Sequence, residues 1–223
     1  MDKIKKVKTW HDMTVRQWQA LTDLFMEEGN SHIDNIVRAG CIVYDVTEHE
    51  LDMLTLADLN DLGHRMAFIH TEVPAKSVEA IHVNGTRYRC VYDVTRMPAA
   101  RYIESKVYGQ DPNQHLHRIM ASMVWPQKRV YKFGPYMDAE YSAADHAKYA
   151  EDMLDAPITA VLGSVVFFCE VYLNLISSTR VYFTKVIMQT TRIPRIEAEE
   201  VVNNLCDSLD GIIRPSWSQR TSG

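Results

Sequence analysis

Between Pro157 and Pro194 the chain carries an apolar stripe so long and so wide that the fold has to be built around a helix. Ile158, Val161, Leu162, Val165, Cys169, Tyr172 and Ile176 recur at helical spacing, and Phe183 and Ile187 continue the row. Val166, Phe167, Phe168 and Leu173 widen it. A helix over about 157–190 with that surface is expected to be long, central and covered on most sides. Its most apolar run, Ile158–Cys169, is twelve residues, short of the roughly 20 that a membrane span needs. Glu170, Asn174 and Arg180 follow, and a membrane helix would have to bury them. A core helix is the expectation, with Glu170 in a buried or half-buried ion pair that Arg180, Arg101 or Arg118 could complete.

Helix starts are written into the rest of the chain. Thr14-Val15-Arg16-Gln17 fits a capping box, in which the Thr hydroxyl takes the N3 amide and the Gln side chain reaches back. Trp18, Leu21, Leu24 and Phe25 then predict an amphipathic helix over Val15–Glu27. Ile33–Tyr44 keeps a helical period, and Gly40 in it allows the close approach of another backbone. Thr47-Glu48-His49-Glu50 and Thr55-Leu56-Ala57-Asp58 open two more helices, and Pro74 closes this region. Later helices are expected from Pro98 to about Tyr108, from Asp111-Pro112 to Trp125, from Ser142 to Leu154, and over Glu197–Leu209. Gln127–Met137 reads as an irregular loop rich in aromatics.

One segment changes period. Val78–Val83 and Thr86–Tyr92 flank Asn84-Gly85, a two-residue hairpin turn whose positive φ values Asn and Gly tolerate. Pairing Val83 with Thr86, His82 with Arg87, Ile81 with Tyr88 and Glu79 with Cys90 sorts the side chains. Val83, Ile81, Tyr88, Cys90 and Tyr92 share one face, and His82, Arg87 and Arg89 the other. Such a hairpin must pack on something, either its own helices or another chain. The fold class is therefore mainly α: a single helical domain over 1–223 with one β-hairpin at 78–92.

Composition bounds the function. A hydrophobic fraction of 46% in 223 residues is enough for a sizeable core. The net charge of -5 is not that of a dedicated nucleic-acid binder. The local exception is the basic N-terminal tail (1–9), where Lys3, Lys5, Lys6 and Lys8 read as a solvated tail, with contact to nucleic acid or an acidic partner as the sharper alternative. No apolar run follows it, so a secretory signal is not expected. Residues 214–223 read as a polar tail. Cys41, Cys90, Cys169 and Cys206 are far apart among apolar neighbours, and buried free thiols are expected.

No phosphate-binding glycine loop, nucleophile elbow or zinc-protease helix occurs. Asp111, His115, His117 and His146 are the nearest approach to a metal set. His115 and His117 point about 200° apart on one helix, so capping and packing roles are expected for these residues. An enzyme using Asp111, His115 and His146, or Glu170, is the least favoured class. No catalytic residue, metal or cofactor is expected. Aromatic residues remain. Trp10, Trp18, Trp125 and Trp217, with Tyr131, Phe133 and Tyr136, could be core or an interface patch. The expected interface is Trp125, Tyr131, Phe133 and Tyr136, with Ile81 and Tyr88 from the hairpin.

The order of these features resembles a known group. Trp10-x-x-x-Thr14 with Trp18 is followed by helical apolar sequence and the Asn84-Gly85 hairpin ending at Tyr88–Tyr92. Then come Arg101-Tyr102-Ile103, Leu116-His117-x-x-Met120-Ala121 with Trp125-Pro126, and Phe167-Phe168 in the long helix. The pattern is similar to small proteins encoded among the structural and tail-assembly genes of tailed bacteriophages, some of which resemble tail assembly chaperones. The resemblance implies a non-enzymatic binder of a tail-tube or tape-measure protein, working in the host cytoplasm during assembly. The alternative it leaves is a permanent virion subunit of neck, tail or head–tail connection, and a homo-oligomer is compatible with either.

Overall fold

The computed structural model describes residues 4, 6–29, 31–93, 97, 99–109, 111–129, 134–139, 142–191 and 194–209. Helices α1 (Val15–Met26), α2 (His32–Tyr44), α3 (Glu48–Asp52) and α4 (Leu56–Arg65) come first. Strands β1 (Ala80–Val83) and β2 (Thr86–Cys90) follow, then α5 (Ala99–Tyr108), α6 (Pro112–Met123), β3 (Val124–Arg129) and β4 (Tyr136–Asp138). The chain ends in α7 (His146–Leu154), α8 (Ile158–Thr191) and α9 (Arg195–Leu209). The mainly helical expectation holds. The capping boxes at Thr14/Gln17, Thr47/Glu50 and Thr55/Asp58 are made, as are two unforeseen ones at Thr9/Asp12 and Ser31/Asp34. Asp111 caps α6 by accepting from the Gln114 amide.

The hairpin has the expected register, Val83 to Thr86, His82 to Arg87 and Ile81 to Tyr88. Asn84 and Gly85 take φ of 48° and 75°. It is not a lone hairpin, however. β3 pairs antiparallel with β2, and β4 with β3, giving a four-stranded sheet in the order β1-β2-β3-β4. The helix expected to reach Trp125 stops at Met123, and Val124–Arg129, expected as helix end and loop, is strand. Pro126 is tolerated there for a geometric reason. Its carbonyl accepts from the Ala139 amide just past the β3–β4 ladder, so its missing N–H also points at the ladder's end.

One apolar cluster joins the inner face of the sheet to α1, α2, α6, α7 and the first half of α8. Ile158, Val161, Val165 and Phe168 of α8 are at most 2% exposed. Beyond Phe168 the expectation of a covered helix fails. Val181 is 71% exposed and Tyr182 64%, and among the described elements α9 packs against α8. At 34 residues, α8 spans about 51 Å. None of the described helices is long and apolar enough to cross a membrane.

The N-terminal segment also departs from expectation. Ile4 is buried, its carbonyl accepts from Arg65, and Lys8 donates to Val43 O at 2.9 Å beside the Tyr44 ring. What was expected as a solvated tail is pinned to α2 and α4 where described; Lys3 and Lys5 lie outside the described residues, as do residues 210–223. Gly40 does permit close approach, though of side chains: a Cβ there would sit 3.0 Å from Leu51 Cδ1 and 3.1 Å from Leu62 Cδ2. Cys41, Cys90 and Cys169 are free thiols, and burial raises the last two to a pKa of about 11.

Candidate functional site

Three stretches of sequence converge on a groove. From α1 come Trp18, Leu21 and Phe25; from α8 come Leu162, Val166 and Glu170; between them lies an extended strap over residues 71–78. The strap is tied to α8. Lys76 N donates to Thr159 O at 3.1 Å, and Val78 N to Ser164 Oγ at 3.4 Å. The Tyr92 hydroxyl bridges Val78 O and Ser164 Oγ at 2.5 and 2.9 Å. The crossing point is Gly163, where a Cβ would stand 2.3 Å from the Lys76 backbone. Only glycine lets the strap lie this close.

The groove encloses about 770 Å³. Trp10 forms part of its wall, held by its indole N–H on Thr71 Oγ1 at 3.3 Å and edge-on to Phe68 at 5.4 Å. A second hollow of about 410 Å³ lies alongside, lined by Ile36, Ala39, Gly63 and Met66 among others. The two share Phe25 and Ile69. Phe25, 44% exposed and 5.6 Å from the His70 ring, stands between them. The charged residues among the described lining of the larger groove are Glu72 and Glu170, both acidic. Glu170 is thus exposed at the groove rather than in the expected buried or half-buried position, on the side of α8 away from the buried Phe168. Of its expected partners, Arg101 is 0% exposed and donates to Val124 O at 2.7 Å, and Arg118 lies over Tyr108.

The expected interface residues fall elsewhere. Ile81 and Tyr88 are 3% and 1% exposed and belong to the chain's own core, where Tyr88 meets Tyr149 edge-on and donates to Asp152. Their place at an interface is corrected accordingly: the hairpin's apolar face is covered by α7. Trp125 is half-buried between Arg89 and Arg101, and Tyr136 is half-buried on β4. Tyr131, Phe133 and Trp217 lie outside the described residues.

The titratable candidates come together only in part. His115 and His146 both face the ring of Tyr108, at 5.6 and 5.8 Å, while His117 sits apart. No group of three or more His, Cys, Asp or Glu among the described residues could hold a metal ion. Ser122 and Glu104, not foreseen, flank His146. Ser122 Oγ lies 3.2 Å and Glu104 Oε2 3.6 Å from the same atom, Nε2. A nucleophile–base pair needs the carboxylate on the other ring nitrogen and a reachable hydroxyl. Here Ser122 is fully buried and donates to Arg118 O at 3.1 Å. The cluster joins α5, α6 and α7 by packing and polar contacts.

No protein-family model, curated protein or solved structure matches the chain.

Proposed function

We propose that this chain is a bacteriophage morphogenesis protein, an assembly chaperone that holds an apolar segment of a tail or tape-measure protein in the groove between α1, the strap and α8. The carrying observation is that groove: about 770 Å³, walled by Trp10, Trp18, Phe25 and Val166, and continued past Phe25 by a second apolar hollow. Grooves of that shape take an amphipathic helix by its apolar face. The bacteriophage setting is supported by the resemblance carried by Trp10-x-x-x-Thr14, Asn84-Gly85 and Trp125-Pro126, which also implies work in the host cytoplasm before the particle is complete.

Co-expression with the tail proteins tests it. Wild type is expected to co-purify with one of them, Phe25→Asp to lose at least ~10-fold of the capture, and finished particles to lack the chain by mass inventory. Stoichiometric presence in particles overturns the chaperone reading.

A second reading, a permanent neck or tail subunit, is favoured by the arm of α8 and α9. There Val181, Tyr182, Ile196 and Val201 are 50% exposed or more, an apolar surface suited to a neighbouring subunit.

A further inference from the structure

We propose that the partner held between α1, the strap and α8 is a cationic amphipathic helix, an apolar face flanked by lysine or arginine; this rests on the groove being the docking surface proposed above. Two features of the walls set the partner's form and charge.

The form follows from the strap. An extended partner would have to add to it as a further strand, and would need free backbone groups there. Few are left. The N–H groups of Thr71, Ala75, Lys76 and Val78 already donate to Phe68 O, Val73 O, Thr159 O and Ser164 Oγ. Pro74 has no N–H to give, and Val78 O already accepts from Tyr92. A helix satisfies its own backbone and needs only side-chain contacts. The hollows on either side of Phe25, about 770 and 410 Å³, give its apolar face two places to dock.

The charge follows from the lining. Leu162, Val166 and Glu170 recur at i, i+4 and i+8 on one side of α8, so a row of apolar wall ends in a carboxylate. Glu72 stands next to Val73 on the strap. Both carboxylates are exposed, and neither is in an ion pair among the described residues. The α1 side, with Trp18, Leu21, Thr22 and Phe25, brings no charge to answer them. A lysine or arginine at the edge of the partner's apolar face lays its stem on the apolar wall and its charge against a carboxylate. A glutamate in that place adds like charge to like. The aromatic rings agree. Arginines of the chain itself lie over Trp125 and Tyr136. Among the described residues no lysine or arginine covers Trp18 or Phe25, whose rings can take a cation from the partner.

Fluorescence anisotropy on the full chain tests this with three labelled peptides of about 18 residues, five helical turns. They share one leucine face and carry lysine, glutamine or glutamate at every polar position, with helix content matched by circular dichroism. The lysine peptide is expected to bind at least ~4-fold tighter than the glutamine one, two exposed ion pairs at about 2-fold or more each. The glutamate peptide should bind weakest. Higher salt narrows this preference without releasing the peptides, since the apolar face does the holding. Glu72→Gln with Glu170→Gln, both exposed and checked for an unchanged denaturation midpoint, is expected to bind the lysine and glutamine peptides within ~2-fold of each other. Phe25→Ala, which leaves the charge alone, should weaken both roughly 10-fold. Equal affinity for all three peptides, with loss on Phe25→Ala, overturns the cationic partner and leaves the groove reading standing. Absence of binding, or indifference to Phe25→Ala, removes the groove reading and the cationic helix with it. A lysine preference that survives the double glutamine variant belongs to the net charge of -5 elsewhere on the chain and overturns the proposal. So does a dimer that Phe25→Ala converts to monomer, which gives the groove to a second copy.

Discussion

At single residues, the chain contains positions whose neighbours dictate the side chain. Gly163 is the clearest. A methyl group there would meet Lys76 backbone atoms at 2.3 Å, and backbone cannot swing aside as a side-chain tip can. Gly163→Ala is expected to lower stability by about 2 kcal/mol or more in urea denaturation, in the range of overpacked cores. It should also widen the groove by lifting the strap. His117 gives a prediction of another kind. Burial lowers its pKa to about 4, with Arg118 adding a smaller push in the same direction. As pH falls, the unfolded chain takes up this proton near pH ~6.5, before the folded chain does. Its contribution is therefore full above about pH 6.5, shrinks as pH falls towards about 4, and is constant below that. His117→Gln should flatten this part of the stability profile. A difference between variant and wild type that does not change between about pH 7 and 4 would refute it.

Among elements, the hairpin shows what the sequence determines and where it stops. Asn84 does two jobs: it accepts a positive φ, and its amide donates to Asp152 at 2.9 Å and Asp155 at 3.3 Å. Asn84→Gly keeps the first and loses the second, while Asn84→Ala loses both. The alanine variant should therefore be less stable by about 1 kcal/mol, the cost of a left-handed non-glycine residue; equal midpoints for the two would refute the division. The register around Asn84 was legible because turn and alternation agree within fifteen residues. β3 was not, because Leu116, Ile119, Met120 and Met123 establish a helical period that runs without a break into Val124, and Pro126 reads as a stop signal. Only pairing with β2, some forty residues away in sequence, makes Val124–Arg129 a strand. The candidate groove was hidden for the same reason. Trp10 and Trp18 could be suspected from their type, but the walls at Val73 and Val166 join them only through the fold.

At the scale of the whole molecule, the groove is an apolar surface on a chain of net charge -5. Glu72 and Glu170 are the charged groups among its described lining, and Trp10, Trp18, Phe25, Val73 and Val166 supply its apolar wall. Apolar and charged contacts draw on different forces, and salt separates them. Raising ionic strength from about 50 to 200 mM releases little from an apolar groove, whose driving force is removal of Phe25 and its neighbours from water. A tail-protein partner bound in the groove should therefore stay bound through that salt wash, and Phe25→Asp should lose it at either ionic strength. Loss of the wild-type partner in the salt step would overturn the apolar groove as its docking surface and assign the partner to a charged surface, on residues that the Phe25 variant leaves untouched.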